Sequence, residues 1–299
     1  MAPVCRTGRG SLLGRLATMR IARFASGGDP QYGVVELPED GGRHPGTVSV
    51  LTGDPLAMPV QLTGERHELE GVRLLAPVIP RSKIVAVGRN YAAHAAELGN
   101  EVPSTPLTFF KPNTSVIGPG DAIVHPRVSR EVSFEGELAV VIGRICKEVP
   151  ESRAADVIFG YTVANDVTAR DLQKTDGQWA RAKGSDTFCP LGPWITTHQS
   201  LDEVADLGIR TTLDGVEKQN GRTSAMVHAI PALIAYISSF TTLLPGDVIL
   251  TGTPEGVGQM RPGQEVSIEI EGIGTLTNTV TSDGADEART STPETEEVL

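Results

Sequence analysis

Two glutamates, Glu135 and Glu137, stand two residues apart in the stretch Val132–Gly143, which reads VSFEGELAVVIG. Read as one strand, its alternation puts Ser133, Glu135, Glu137, Ala139 and Val141 on one side and Phe134, Gly136, Leu138, Val140 and Ile142 on the other. The stretch ends in apolar residues, so the strand is directed into an interior. Like charges this close repel, and burial raises the penalty on each. Something must neutralise them, and a divalent cation, which prefers carboxylate oxygen, is the simplest answer. The alternative is a half-exposed strand with a solvated acidic face. Asp166 ends a second strand-like run, FGYTVAND (159–166). It is either the N-cap of a helix expected over Val167–Gln173 or a third oxygen ligand at the mouth of the sheet. Arg170 projects about one helical turn later.

A second pair lies upstream. The apolar strand Lys83–Gly88 runs into RNYAAHAAELG (89–99), where Asn90 is the expected N-cap and Gly99 the C-terminal stop. On that short helix His94 and Glu97 share a face. A carboxylate beside an imidazole orients the ring and raises its basicity, which suits a general base. The alternative is an exposed surface pair. Downstream, Gly177–Lys183 reads as a flexible basic segment carrying Arg181 and Lys183. Leu244–Gly258 reads as a turn, an apolar strand and a Gly/Thr loop whose backbone amides can cradle an anion. It lacks the Gly-Lys-Ser/Thr ending of a phosphate-binding P-loop.

The elements that must position these groups are mostly short strands. Arg20–Ala25, Tyr32–Leu37 and Gly46–Leu51 are candidates, separated by Gly/Pro/Asp clusters, and Leu74–Pro80 reads as a linker. His44 and His67 sit in polar surroundings and are expected in solvent. Phe109–Pro112 is strand and turn material, and Glu151–Ala155 a brief helix. Asp214-Gly215 between Ile209–Leu213 and Val216–Gln219 marks a two-residue hairpin. Thr223–Phe240 is the best amphipathic helix, interrupted by Pro231, with His228 on its surface. Val266–Ile270 and Thr275–Val280 close the sheet.

The chain has 299 residues, 39% of them hydrophobic, enough for one large domain with a small appendage. Net charge is -11, an acidic body that argues against nucleic acid or an anionic membrane as partner. Three widely spaced cysteines and no CxxC fit a reducing, cytoplasmic setting and argue against a zinc ribbon or a disulfide framework. No apolar run approaches the ~20 residues of a membrane helix. The Arg-rich, acid-free start is similar to a transit peptide in composition. An upstream start codon before Met19 is preferred, because the apolar stripe is weak. The expected division is a leader over 1–18, disordered or non-native, a small β domain over 19–78, a catalytic domain over 79–282 and an acidic, disordered tail over 283–299.

Five stretches, KIVAVGRNYAAHAAE (83–97), FEGELAVVIG (134–143), GYTVANDVTARDLQ (160–173), WARAKGSDTFCPLGPWI (179–195) and PGDVILTGTPEGVG (245–258), together resemble the fumarylacetoacetate hydrolase family in its order. The resemblance implies a mixed, β-rich (α+β) sandwich roll with few short helices, a homodimer, and one Mg²⁺ or Mn²⁺ per subunit. It implies that Glu135, Glu137 and Asp166 hold the metal. His94 and Glu97 activate water or move a proton, and Lys183 stabilises developing negative charge. Arg89, Tyr91, Arg170, Gln173 and Thr253 fall at substrate-side positions. The chain departs from the family's namesake in its short N-terminal part and in lacking an extra aspartate ligand, so it is similar to the compact microbial members. Their activities include acylpyruvate hydrolysis, 2-oxoacid decarboxylation and 2-hydroxyhepta-2,4-diene-1,7-dioate isomerisation. The expected activity is hydrolysis of a carbon–carbon bond in a 2,4-dioxo acid. Isomerase and decarboxylase are the enzyme alternatives, and a metal- or oxoacid-binding protein the non-catalytic one.

Overall fold

The computed structural model describes residues 19–38 and 46–284. The expected leader, His44 and nearly all of the expected tail lie outside the described residues. At the centre of a twelve-stranded sheet is the strand Gly136–Ile142, every residue of it buried. It pairs antiparallel with Ile158–Asn165 on one side and with Val248–Leu250 on the other. Val248–Leu250 pairs in parallel with Ile84–Gly88, and Leu107–Lys111 pairs with the latter's far edge. A strand covered on both faces has to be continuously apolar, and Leu138–Ile142 is.

On the other side the sheet continues through Cys189–Thr197 into Arg20–Ala25, Gln31–Glu36, Thr47–Leu51 and Leu62–Glu68. These N-terminal strands extend the sheet and pack Phe24, Val35, Val48 and Val50 with Trp194. Leu74–Pro80 is not a free linker: Leu74 and Leu75 pair with Phe24 and Arg23. His67 is not solvated as expected but half-buried, its ring edge-on to Phe24 at 5.7 Å.

A five-stranded sheet lies across the large one, built from Gly208–Leu213, Val216–Arg222, Glu265–Ile270, Gly274–Ser282 and Ile123–His125. Leu138, Val140 and Val163 of the large sheet share one core with Ile209, Ile268 and Leu276. The layers approach so closely at Gly136 that a Cβ there would lie 2.5 Å from the Thr211 hydroxyl. The Asp214-Gly215 hairpin forms as the sequence predicts, with φ of 50° and 75°, the two left-handed positions of a type I′ turn.

Two expectations need correction. Val132–Gly143 is two strands, not one. Val132–Phe134 belongs to a separate three-stranded sheet with Thr168–Ala169 and Gly258–Met260, and the chain crosses between sheets at Glu135. The helix expected from Thr223 is a 3-10 turn over Thr223–Ala225 followed by a helix over Ile230–Phe240. Pro231 sits in the first turn of that helix instead of interrupting it, because its missing N–H and fixed φ suit that turn. His228 therefore precedes the helix. The other helices are short, and no helix among the described residues is long and apolar enough to cross a membrane.

Candidate active site

The C-terminal ends of Ile84–Gly88, Ile158–Asn165 and Val248–Leu250 open at the same end of the sheet as the N-terminus of Gly136–Ile142. Register does the rest. Gly136 pairs with Asn165, so Glu135 and Asp166 leave the sheet side by side. The Asp166 N–H donates to the Glu135 carbonyl at 2.9 Å, and the Arg170 N–H to the Glu131 carbonyl at 2.7 Å. The Asn165 side chain accepts the Glu135 N–H at 2.9 Å. One carboxylate oxygen from each of Glu135, Glu137 and Asp166 lies within 4.8 Å of the others. Asp166 is not an N-cap: the helix begins at Arg170, behind Ala169.

All three acids are buried, and the chain itself supplies three cations. Arg170 Nη2 donates to Glu135 Oε1 at 2.5 Å. Lys183 Nζ bridges Glu135 Oε2 at 2.8 Å and Asp166 Oδ2 at 2.6 Å. Lys111 Nζ donates to Asp166 Oδ1 at 2.5 Å and to the Lys183 carbonyl. An outside cation is therefore not required to cancel the charge, contrary to the simplest sequence argument. The charge is shared unevenly. Burial alone would raise the Glu135 carboxyl, but Lys183, Arg170 and His94 outweigh it and hold it far below the usual range. Burial and the neighbouring Asp166 and Glu135 push Glu137 well above that range. Lys183 is raised, because Asp166 and Glu135 outweigh its own desolvation. Lys183 sits on a helix over Ala180–Gly184, packed under Phe109 at 5.3 Å, so the segment is not the flexible one expected.

His94 and Glu97 lie on the predicted helix, Ala92–Glu97. Glu97 Oε2 is 3.4 Å from His94 Nδ1, and with Nδ1 donating, Nε2 is left as the proton acceptor. Both Glu97 oxygens also accept the Gly256 N–H, at 3.1 and 3.2 Å. The Gly252 N–H donates to Glu137 Oε2 at 2.7 Å. The Gly/Thr loop thus does cradle anions, and they are the protein's own carboxylates. Gln219, wholly buried, ties that loop down through Thr253 Oγ1 at 2.7 Å and the Pro254 carbonyl at 2.8 Å.

A cavity of about 500 Å³ opens over this cluster, lined among others by Arg89, His94, Glu135, Glu137, Arg170 and Lys183. Gln173 and Thr253 also reach its wall. Gln173 accepts from Arg170 Nη1 at 3.0 Å, so Arg170 is gripped on two sides. The Thr253 hydroxyl donates to the Gly136 carbonyl at 2.8 Å. Tyr91 is misplaced by the sequence reading. It does not line the cavity; it is 1% exposed, and its hydroxyl has no hydrogen-bond partner among the described residues. Burial and the nearby charges of Glu137 and Glu255 raise that hydroxyl far above its ordinary value. Asn90 does not cap the helix. Its amide donates to the Thr251 and His228 carbonyls at 2.8 and 3.0 Å, and its oxygen accepts the His228 N–H at 2.8 Å. Sequence reasoning missed Lys111 and Gln219. A lysine closing the apolar strand LTFFK was the available signal for the first; Gln219, in a hairpin strand of polar residues, carried none.

The donor set suits a hard divalent cation: three buried carboxylates from two neighbouring segments, with Glu137 Oε1 free of hydrogen bonds among the described residues. Glu135, Glu137 and Asp166 are the residues that would hold it. Residues 83–281 match the fumarylacetoacetate (FAA) hydrolase C-terminal family, and residues 19–77 the Rv2993c-like N-terminal family. Protein Rv2993c of Mycobacterium tuberculosis is 52% identical over 89% of this chain and 99% of its own length. Among solved structures, the 2-hydroxyhepta-2,4-diene-1,7-dioate isomerase of Mycobacterium marinum is similar at 48% identity. Its TM-score is 0.80, over 89% of this chain and 99% of that one. Maleylpyruvate hydrolase from Sphingobium sp. SYK-6 is similar at 33% identity and a TM-score of 0.72, over 89% of this chain and 100% of that one.

Proposed function

The chain belongs to the fumarylacetoacetate hydrolase family, and from that premise we propose that it hydrolyses a carbon–carbon bond in a 2,4-dioxo acid of the acylpyruvate type. It does so as a homodimer with Mg²⁺ or Mn²⁺ at Glu135, Glu137 and Asp166. When bound, the cation supplies Lewis-acid polarisation of the substrate's oxygen. His94 Nε2 takes a proton from water, and Glu97 fixes the ring in the tautomer that allows it. The hydroxide adds to the carbonyl remote from the acid. The carbon–carbon bond then breaks, and its electron pair passes into an enolate. Lys183, itself buried, faces the growing negative charge, where a fixed cation acts more strongly than in bulk water. The protonated His94 returns its proton to the enolate carbon.

One observation carries this reading: His94, with Glu97 at its Nδ1, and the buried Lys183 line the same cavity as Glu135 and Glu137. A binding protein needs no such base. The likeness to the Mycobacterium marinum isomerase favours a second reading, in which His94 moves a proton between carbons of a dienoate and no bond is cleaved. Turnover of an acylpyruvate, oxaloacetate and a 2-hydroxydienoate in H₂¹⁸O, with and without EDTA, separates the readings. Hydrolysis puts one ¹⁸O into the carboxylate released from the acyl end and stops with EDTA. An unchanged mass with a shifted absorbance means isomerisation, and loss of CO₂ alone means decarboxylation.

A further inference from the structure

A second cavity, of about 470 Å³, lies at the far end of the strand Ile158–Asn165 from the carboxylate cluster. Its walls come from residues 19, 60, 143–144, 155–161 and 197–201, so the fold sets its shape and no single loop does. Most of the wall is hydrocarbon, with the rings of Phe159 and Tyr161 in it. Its polar groups are few, and they lack partners. Tyr161 is 1% exposed, and its hydroxyl makes no hydrogen bond among the described residues, yet it is not one of the side-chain atoms sealed from solvent. Burial raises that hydroxyl far above its ordinary value, with no neighbouring charge or hydrogen bond contributing. Whatever it bonds to must come from the cavity. Gln199, on the same wall, has a buried Oε1 without a partner. The lining contains no acid, in a chain whose net charge is -11. Its one permanent charge is the exposed Arg144. The neighbouring cations are committed, Arg153 to Asp156 at 2.8 Å and Lys147 to the Ser239 carbonyl at 2.9 Å. Arg144 has no carboxylate in ion-pair reach and no side-chain hydrogen bond among the described residues.

We infer that this cavity binds an arylcarboxylate, its ring against Phe159 and the surrounding hydrocarbon and its carboxylate at Arg144. Charge decides for an anion, because the lining offers a cation and no acid to repel it. The two rings decide for an aromatic body, because ring–ring contact attracts beyond the area it buries. The volume is that of a small-molecule site. The bound acid takes no part in the chemistry at Glu135, Glu137 and Asp166, and the inference stands apart from the reading of that cluster.

The test titrates the protein calorimetrically with three probes: 2-naphthoate, 2-naphthamide, which is neutral and similar in shape, and decanoate, an acyl-chain acid. Wild type binds 2-naphthoate about 10-fold more tightly than 2-naphthamide, and more tightly than decanoate. Arg144→Gln, an exchange on the surface, removes the first preference: 2-naphthoate weakens about 10-fold and 2-naphthamide stays within about twofold. Leu201→Trp, which narrows the cavity, weakens both naphthalene probes by about 10-fold, with the urea midpoint showing that the variant is folded. Binding of 2-naphthoate that Arg144→Gln leaves unchanged is binding elsewhere and overturns the inference. So does a wild-type protein that binds none of the probes, the result if a second copy of the chain covers the cavity. Decanoate binding more tightly than 2-naphthoate overturns the aryl class in favour of an acyl chain.

Discussion

Two hollows of nearly equal size open at opposite ends of the strand Ile158–Asn165. One, about 500 Å³, holds the carboxylate cluster where the strand runs into Asp166. The other, about 470 Å³, is lined at the strand's start by Ile158, Phe159 and Tyr161 with Met19, Val60 and Leu201. Volume does not tell them apart. What differs is that the first gathers buried charged groups that fix one another, while the second is largely hydrocarbon with Arg144 and His198 exposed at its edge. Chemistry needs groups that cannot relax when charge moves, and that rigidity exists at one end alone.

The comparison can be broken most forcefully at Glu137. Glu137→Ala removes a ligand and leaves the Gly252 amide without its acceptor. Expected are loss of Mn²⁺ uptake, read by electron paramagnetic resonance, and a fall in turnover of about 10³-fold. Retained metal with full turnover would remove the carboxylate triad from the mechanism. His94→Ala separates binding from chemistry: metal uptake persists, while hydrolysis drops by about 10²- to 10⁴-fold. If turnover survives, the base lies elsewhere. At the other end, Phe159→Ala leaves turnover within about twofold. It lowers the stability read from urea unfolding by about 2 kcal/mol, less than a fully buried phenylalanine would cost. A large loss of turnover there would mean that the second hollow takes part in the reaction.

A last effect, on stability alone, draws on both ends. Burial pushes the Cys189 thiol up to about 12 and raises the Tyr91 and Tyr161 hydroxyls. As pH rises past about 8.5 the unfolded thiol loses its proton while the folded one keeps it, so the unfolded state binds fewer protons and stability falls. The slope is about 1.4 kcal/mol per pH unit for Cys189, joined above about pH 10 by the tyrosines. Urea midpoints measured from pH 7 to 10.5 test it. A flat profile would mean that these groups ionise in the folded protein.

Much of the site could be read from residue types. Glu135, Glu137 and Asp166 do converge, and His94 and Glu97 do share a short helix. The mode of convergence could not be read. Alternation along Val132–Gly143 assumes one partner on each side, and the switch of sheets at Glu135 depends on which distant strands pair with each half. Lys111 was hidden for the same reason: its partner Asp166 is 55 residues away, and nothing local distinguishes it from a surface lysine at a strand end. The Tyr91 assignment failed differently. Tyr91 precedes the helix and forms a bridge with Met226, which turns its ring into the core. The N-terminal strands from Leu62 to Leu75 escaped notice because their alternation is weak and Leu62–Glu68 is largely exposed, as befits the outermost strand of a sheet.

The links from Asp166 to Glu135 and from Arg170 to Glu131 are made by peptide groups. Peptide groups survive any exchange of side chains. Leu98 and Val257, which also line the cavity, take no part in those links. A scaffold of that kind lets a lineage retune which molecules it accepts while its reactive end stays put.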